Sequence, residues 1–168
     1  SCRRLWENVV ERQMYITGAI GSTRTGEAFT ADYDLPNETA YAETCASIGL
    51  IFFAHRMQMI EADGIYGDVM EKALYNVVLS SMSRDGRHFF YVNPQEVWPL
   101  ANEKNPDRRH VQTKRQKWFG CACCPPNIAR LLSSLEKYVY SYGKHTLYVH
   151  LYIAGEARIK TGHGEFFV

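Results

Sequence analysis

The densest chemical signal in the chain is its cysteines. There are five, and Cys121, Cys123 and Cys124 fall within Cys-Ala-Cys-Cys, directly before Pro125-Pro126-Asn127. An odd number clustered in this way does not suit a secreted disulfide framework. Adjacent Cys123 and Cys124 would also close a small, strained ring if they bridged each other. Reduced thiols, or thiols held by a metal, fit better. A lone cysteine is ordinarily a buried structural residue, but three within four residues ahead of two prolines go beyond that. A second signal is Glu43-Thr44-Cys45. Zinc is usually held by four ligands drawn from thiolate, imidazole and carboxylate, and Glu43, Cys45, Cys123 and Cys124 could supply such a set. On a regular helix, residues i and i+2 point apart by about 200°. Glu43 and Cys45 can therefore converge only where the helix end is distorted or not yet formed. Cys123 and Cys124 meet the same difficulty, eased by a loop before the prolines. Neither pair has the two-residue gap of zinc ribbons and fingers.

A third signal is Glu27, inside a loop that carries Gly18, Gly21 and Gly26. A thiolate beside a metal or at a helix N-terminus is a nucleophile at neutral pH, and Cys123 stands just ahead of an expected helix. A nearby carboxylic acid such as Glu27 could then give and take a proton. A glutamate in a polar loop is otherwise a solvated side chain.

The elements that must position these residues are mostly helical. Leu5, Val9, Val10 and Met14 make an apolar stripe and predict a helix over about 2–15. Residues 16–30 and 31–38 read as loops. Asn37 is the expected N-cap of a long helix reaching about Glu61, whose apolar residues cover most of its circumference and predict burial on more than one side. A further helix is expected over about 67–83, an extended piece over 88–94, and a solvated, irregular stretch with a basic run over 95–117. A helix follows from about Asn127 to Tyr140, with prolines where a first turn tolerates them. After Gly143 the period changes to two, and Leu147, Val149, Leu151 and Ile153 alternate with polar or aromatic neighbours. That pattern predicts a half-buried strand, with two more at 156–160 and 165–168. Four helices followed by the opening strands of a β module make a bundle of paired helices with functional loops.

Composition narrows the classes. In 168 residues, 46% are hydrophobic and 22% charged, which is ordinary for a globular chain. The formal net charge of +1 leaves no electrostatic footprint for nucleic acid. No apolar run reaches the ~18 residues of a membrane span. The chain opens in what reads as mid-helix and closes in a strand-like run, so an internal slice of a longer protein is expected. Reduced thiols place it in the cytoplasm.

The runs GEAFTADYDLPNETAYAETCASIG, FFYVNP, CACCPPNIARLLSSL and LYVHLYI, in that order between about Thr17 and Ile153, resemble the β-L-arabinofuranosidases of glycoside hydrolase family 127. The resemblance implies a mainly α fold: residues 1–143 as part of an (α/α)6-barrel catalytic domain, and 144–168 as the start of a β-sandwich domain. It implies a retaining glycosidase acting on terminal β-L-arabinofuranosides. Cys123 then corresponds to the nucleophile, Glu27 to the general acid/base, and Glu43, Cys45, Cys123 and Cys124 to the ligands of a Zn2+ ion. Tyr91 corresponds to a sugar-contacting tyrosine. The partner is a carbohydrate, with no nucleic acid or membrane. Residues that the family places upstream to hold the sugar lie outside this chain, so little or no activity is expected of the chain by itself. The apolar helix would then lie open and favour homo-oligomers.

The competing expectation is a helical module with a structural Cys3Glu zinc site and no catalysis. Catalysis requires Glu27 to face Cys123 across roughly 5 Å, as in retaining pairs. A thiol redox or hydrolase protein is disfavoured: Cys121-Ala122-Cys123 has one intervening residue, and the histidine nearest to this run is His110.

Overall fold

The computed structural model describes residues 1–162 and 164–168. Helix α1 (Cys2–Asn8) continues as a π-helical segment, Val9–Gln13. The long helix α2 (Thr44–Ile60) packs against α3 (Gly64–Ala73), against the π-helical continuation of α3 (Leu74–Leu79), and against α5 (Cys124–Leu132). Short helices α4 (Pro99–Lys104) and α6 (Glu136–Val139) and a 3-10 turn, Pro106–Arg108, lie further along the chain. Strands β1 (Tyr140–Tyr142) and β2 (Leu147–Val149) pair antiparallel with Tyr140 opposite Val149. Strands β3 (Arg158–Thr161) and β4 (Gly164–Phe167) form a second antiparallel pair. The fold is thus helical with two small sheets.

The core sits where α2 meets α3 and α5. Ile48, Leu50, Ile51 and Met57 of α2 are buried with Met70 and Leu74, and with Leu131 of α5. Trp6 closes one end, its ring edge-on to Phe53 at 5.6 Å and to Tyr66 at 4.9 Å, the favoured geometry for aromatic pairs. Burial on several sides of α2 agrees with its nearly circumferential apolar pattern. The open apolar helix expected above is corrected: this chain's own elements cover the large apolar side chains of α2 wholly or in part, except near its C-terminus, where Met59 and Ile60 are exposed.

The helix start is also corrected. Asn37 caps nothing; its carbonyl accepts from Gln95 N. Ala42 is left-handed (φ 42°) and Glu43 is extended (φ −62°, ψ 139°), so helical geometry begins at Thr44. The cause is competition for backbone bonds. Thr44 N donates to Tyr91 O at 2.9 Å and Asn93 N donates to Ala42 O at 3.0 Å, so 42–44 are held as an extended partner of 91–93. The helix expected from Asn127 begins earlier, at Cys124, and breaks after Leu132. The expected strand 147–153 pairs only over Leu147–Val149, although Leu151 does reach the core. The stretch 95–117 is less solvated than its basic run suggests. Arg108 pairs with Glu38 at 3.1 Å, and Arg115 donates to the Ser80 and Ser81 carbonyls with its guanidinium 4.8 Å from the Phe90 ring centre.

Gly18 locks the loop after α1 onto the core. Its φ is +88°, and a Cβ there would lie 2.8 Å from Ala73 N and 2.9 Å from Ala73 Cα. Gly18→Ala is expected to cost more than ~1 kcal/mol, because both the backbone region and the space exclude a methyl group. Denaturant unfolding checks this, and a wild-type midpoint would refute it.

Candidate metal centre

The extended backbone of Glu43 removes the geometric obstacle at Glu43-Thr44-Cys45. One residue precedes the helix and the other is inside its first turn, so their side chains converge. Thr44 anchors the turn between them: its hydroxyl donates to Phe90 O at 2.8 Å and receives Asn93 Nδ2 at 3.0 Å. On the other side, Cys123 stands at the N-cap of α5 and Cys124 is its first residue, with proline in the opening turn. Packing of α5 on α2 then brings the two stretches together.

The candidate ligand atoms of Glu43, Cys45, Cys123 and Cys124 all lie within 4.8 Å of one another. Cys45 Sγ is 3.7 Å from Cys124 Sγ, and Cys123 Sγ is 3.8 Å from Cys124 Sγ. A tetrahedron with metal–sulfur bonds of ~2.3 Å has sulfur–sulfur edges of ~3.8 Å, so the spacing suits a metal ion. Cys124 is fully buried, Glu43 is buried, and Cys45 and Cys123 are half-buried. Cys121 is exposed and stands outside the cluster.

The thiols hold their protons unevenly. Hydrogen bonding from Cys124 draws the Cys45 thiol down to about 7. Cys124 is correspondingly raised, by that same contact with Cys45 and by burial. Burial pushes the Cys123 thiol up to about 12. Cys123 Sγ lies 3.1 Å from Glu43 Oε1 and 3.1 Å from the Tyr91 hydroxyl. A thiol has one proton to give. The Glu43 carboxylate can accept it while the Tyr91 hydroxyl donates to the sulfur.

Glu27 stands outside this cluster, on a tight hairpin in which Thr23 pairs with Ala28. Gly26 (φ 72°) and Glu27 (φ 51°) are both left-handed. Glu27 is joined to the cluster through aromatic side chains. Tyr41 Oη donates to Glu27 Oε1 at 2.8 Å, and the Tyr41 ring meets the Tyr91 ring edge-on at 6.2 Å. Burial, together with the Glu27 carboxylate, holds the Tyr41 phenol above the usual tyrosine range. The sequence reading did not single out Tyr41. Its partner is 14 residues away on another loop, and no local motif marks it.

Residues 1–137 match the family described as "Beta-L-arabinofuranosidase, GH127 catalytic domain". The chain belongs to that family. It is 49% identical over 164 residues to a non-reducing end β-L-arabinofuranosidase of Bifidobacterium longum subsp. longum, covering 96% of this chain and 25% of that protein. The crystal structure of a GH127 β-L-arabinofuranosidase from Geobacillus stearothermophilus T6 superposes with a TM-score of 0.91 at 58% identity, over 96% of this chain and 25% of that one. A second GH127 β-arabinofuranosidase, BT3674, gives 0.85 at 40% identity, over 96% and 24%. This GH127 chain thus spans about a quarter of the length of the relatives it matches.

Proposed function

We propose that the whole protein carrying this GH127 chain is a retaining glycosidase that releases L-arabinofuranose from non-reducing ends. In this reading Cys123 is the nucleophile, Glu27 the acid/base, Tyr91 a sugar contact, and Glu43, Cys45, Cys123 and Cys124 the holders of a zinc ion. Residues 1–143 belong to an (α/α)6 barrel and 144–168 open a β-sandwich. The observation that carries the reading is the convergence of one carboxylate and three thiols, from stretches about 80 residues apart, within 4.8 Å. Family membership supports the carbohydrate substrate.

The chemistry balances. Cys123, as the thiolate, attacks the anomeric carbon as the bond to the departing oxygen breaks, and Glu27 gives its proton to that oxygen. A thioglycosyl intermediate then stands on Cys123. Glu27, now a carboxylate, takes a proton from water as the water oxygen attacks the same carbon and the carbon–sulfur bond breaks. Two displacements at one carbon retain its configuration. The Tyr91 hydroxyl and the N-terminal end of α5 favour the thiolate form. When bound, zinc would keep the sulfur deprotonated and make it a better leaving group.

The test is hydrolysis of 4-nitrophenyl β-L-arabinofuranoside by the whole natural protein, with the first-formed sugar observed by NMR. The expected first product is β-L-arabinofuranose. An inverted product, or no turnover, refutes the reading.

A further inference from the structure

We propose that Tyr41 is a positioning residue that fixes which oxygen of Glu27 handles the proton. The inference rests on the reading of Glu27 as acid/base given above. Glu27 projects from a hairpin tip and is exposed. A glutamate so placed has several side-chain torsions to restrain, and general acid catalysis needs its oxygen within hydrogen-bond reach of the departing group. Tyr41 supplies the restraint. Its hydroxyl donates to Oε1 at 2.8 Å, which leaves Oε2 as the oxygen free to carry and deliver the proton.

Tyr41 is itself held from several sides. Its ring lies edge-on to Tyr91 at 6.2 Å and tilted against His110 at 5.8 Å. His110 Nε2 is 3.1 Å from Thr39 O, two residues before Tyr41. The next residue, Ala42, is left-handed, and its N–H donates at 2.8 Å to Gly21 O, near the base of the hairpin that carries Glu27. The Ala42 carbonyl in turn receives both Asn93 N and Asn93 Nδ2 at 3.0 Å. Donor and acceptor loops are thus joined by backbone as well as by the side-chain bond. The same tyrosine connects Glu27 by ring packing to Tyr91, whose hydroxyl touches Cys123 Sγ at 3.1 Å.

The test uses the whole natural protein and two substrates that differ in their need for a proton. An alkyl β-L-arabinofuranoside has a poor leaving group and needs the acid; a 2,4-dinitrophenyl one does not. The readout is the ratio of kcat/KM values on the two substrates, which partial unfolding does not alter. Tyr41→Phe keeps the ring and removes only the donor. It is expected to lower kcat/KM on the alkyl substrate by about 10- to 100-fold, the worth of a hydrogen bond to a charged group, and to leave the dinitrophenyl value within about threefold. Equal losses on both substrates, or none, overturn the inference. Glu27→Gln separates the two levels. If it is strongly selective between the substrates and Tyr41→Phe is not, only the role of Tyr41 fails. If Glu27→Gln shows no selectivity, the acid/base assignment fails and the role of Tyr41 falls with it.

Discussion

Cys123→Ala in the whole protein is expected to lower kcat by on the order of 10⁴-fold or more, as removal of a nucleophile does when the residual activity comes from binding alone. The expectation follows from where the sulfur sits. Cys123 is at the N-cap of α5, where the helix dipole favours negative charge. It is also the cluster member in contact with Tyr91, the residue that leads through Tyr41 to Glu27. Cys124 is fully buried, so it is less well placed to meet a sugar. Cys123→Ser is expected to fare little better, because an alcohol is far less ionised than a thiol. A purely structural centre predicts something else: a loss of stability, with kcat per folded molecule preserved. Steady-state kinetics beside thermal unfolding separate the two, and a folded Cys123→Ala enzyme within tenfold of wild-type kcat would eliminate the nucleophile.

The site was more legible in the sequence than the elements that build it. Glu43, Cys45, Cys123 and Cys124 could be grouped because thiolates and carboxylates have few other reasons to gather in such short runs, and the GH127 motifs reinforced the grouping. The path by which they converge could not be read. Asn37 reads as an N-cap and so places the start of α2 too early, because Ala42 and Glu43 are drawn out of the helix by bonds to 91–93, nearly 50 residues away. Local pattern carries no information about that partner. The break after Leu132 is local instead: the Ser133 and Ser134 hydroxyls both donate to the Arg130 carbonyl and compete with the helix ladder. Burial was easier. The nearly circumferential apolar surface of α2 announced neighbours on several sides, and α3 and α5 provide them. Tyr41 lay beyond reach, since a tyrosine that bonds a carboxylate on another loop resembles any other tyrosine in sequence.

Removing the metal is expected to abolish activity, loosen the fold and change the proton count of the site. Elemental analysis of the whole protein should find one equivalent of zinc per chain. Chelation should lower Tm by about 5 °C or more, since a ligand bound only by the native state stabilises it by mass action. The thiols give the sharper readout. With no cation beside them, burial pushes Cys123 up to about 12, Cys124 is raised by Cys45 and by burial, and Cys45 alone is drawn down to about 7. A metal-free site at neutral pH therefore keeps protons on Cys123 and Cys124, whereas a coordinating thiol is deprotonated outright. Returning zinc to the apo protein should release roughly two protons or more per ion in a weakly buffered solution. The sign fixes the pH dependence: acid competes with the metal, so apparent affinity falls as pH falls. Metal-free protein should also react faster with thiol reagents at the half-buried Cys45, the thiol drawn down to about 7. Full activity after exhaustive chelation, or zinc uptake with no proton release, would show that these four side chains do not hold the ion.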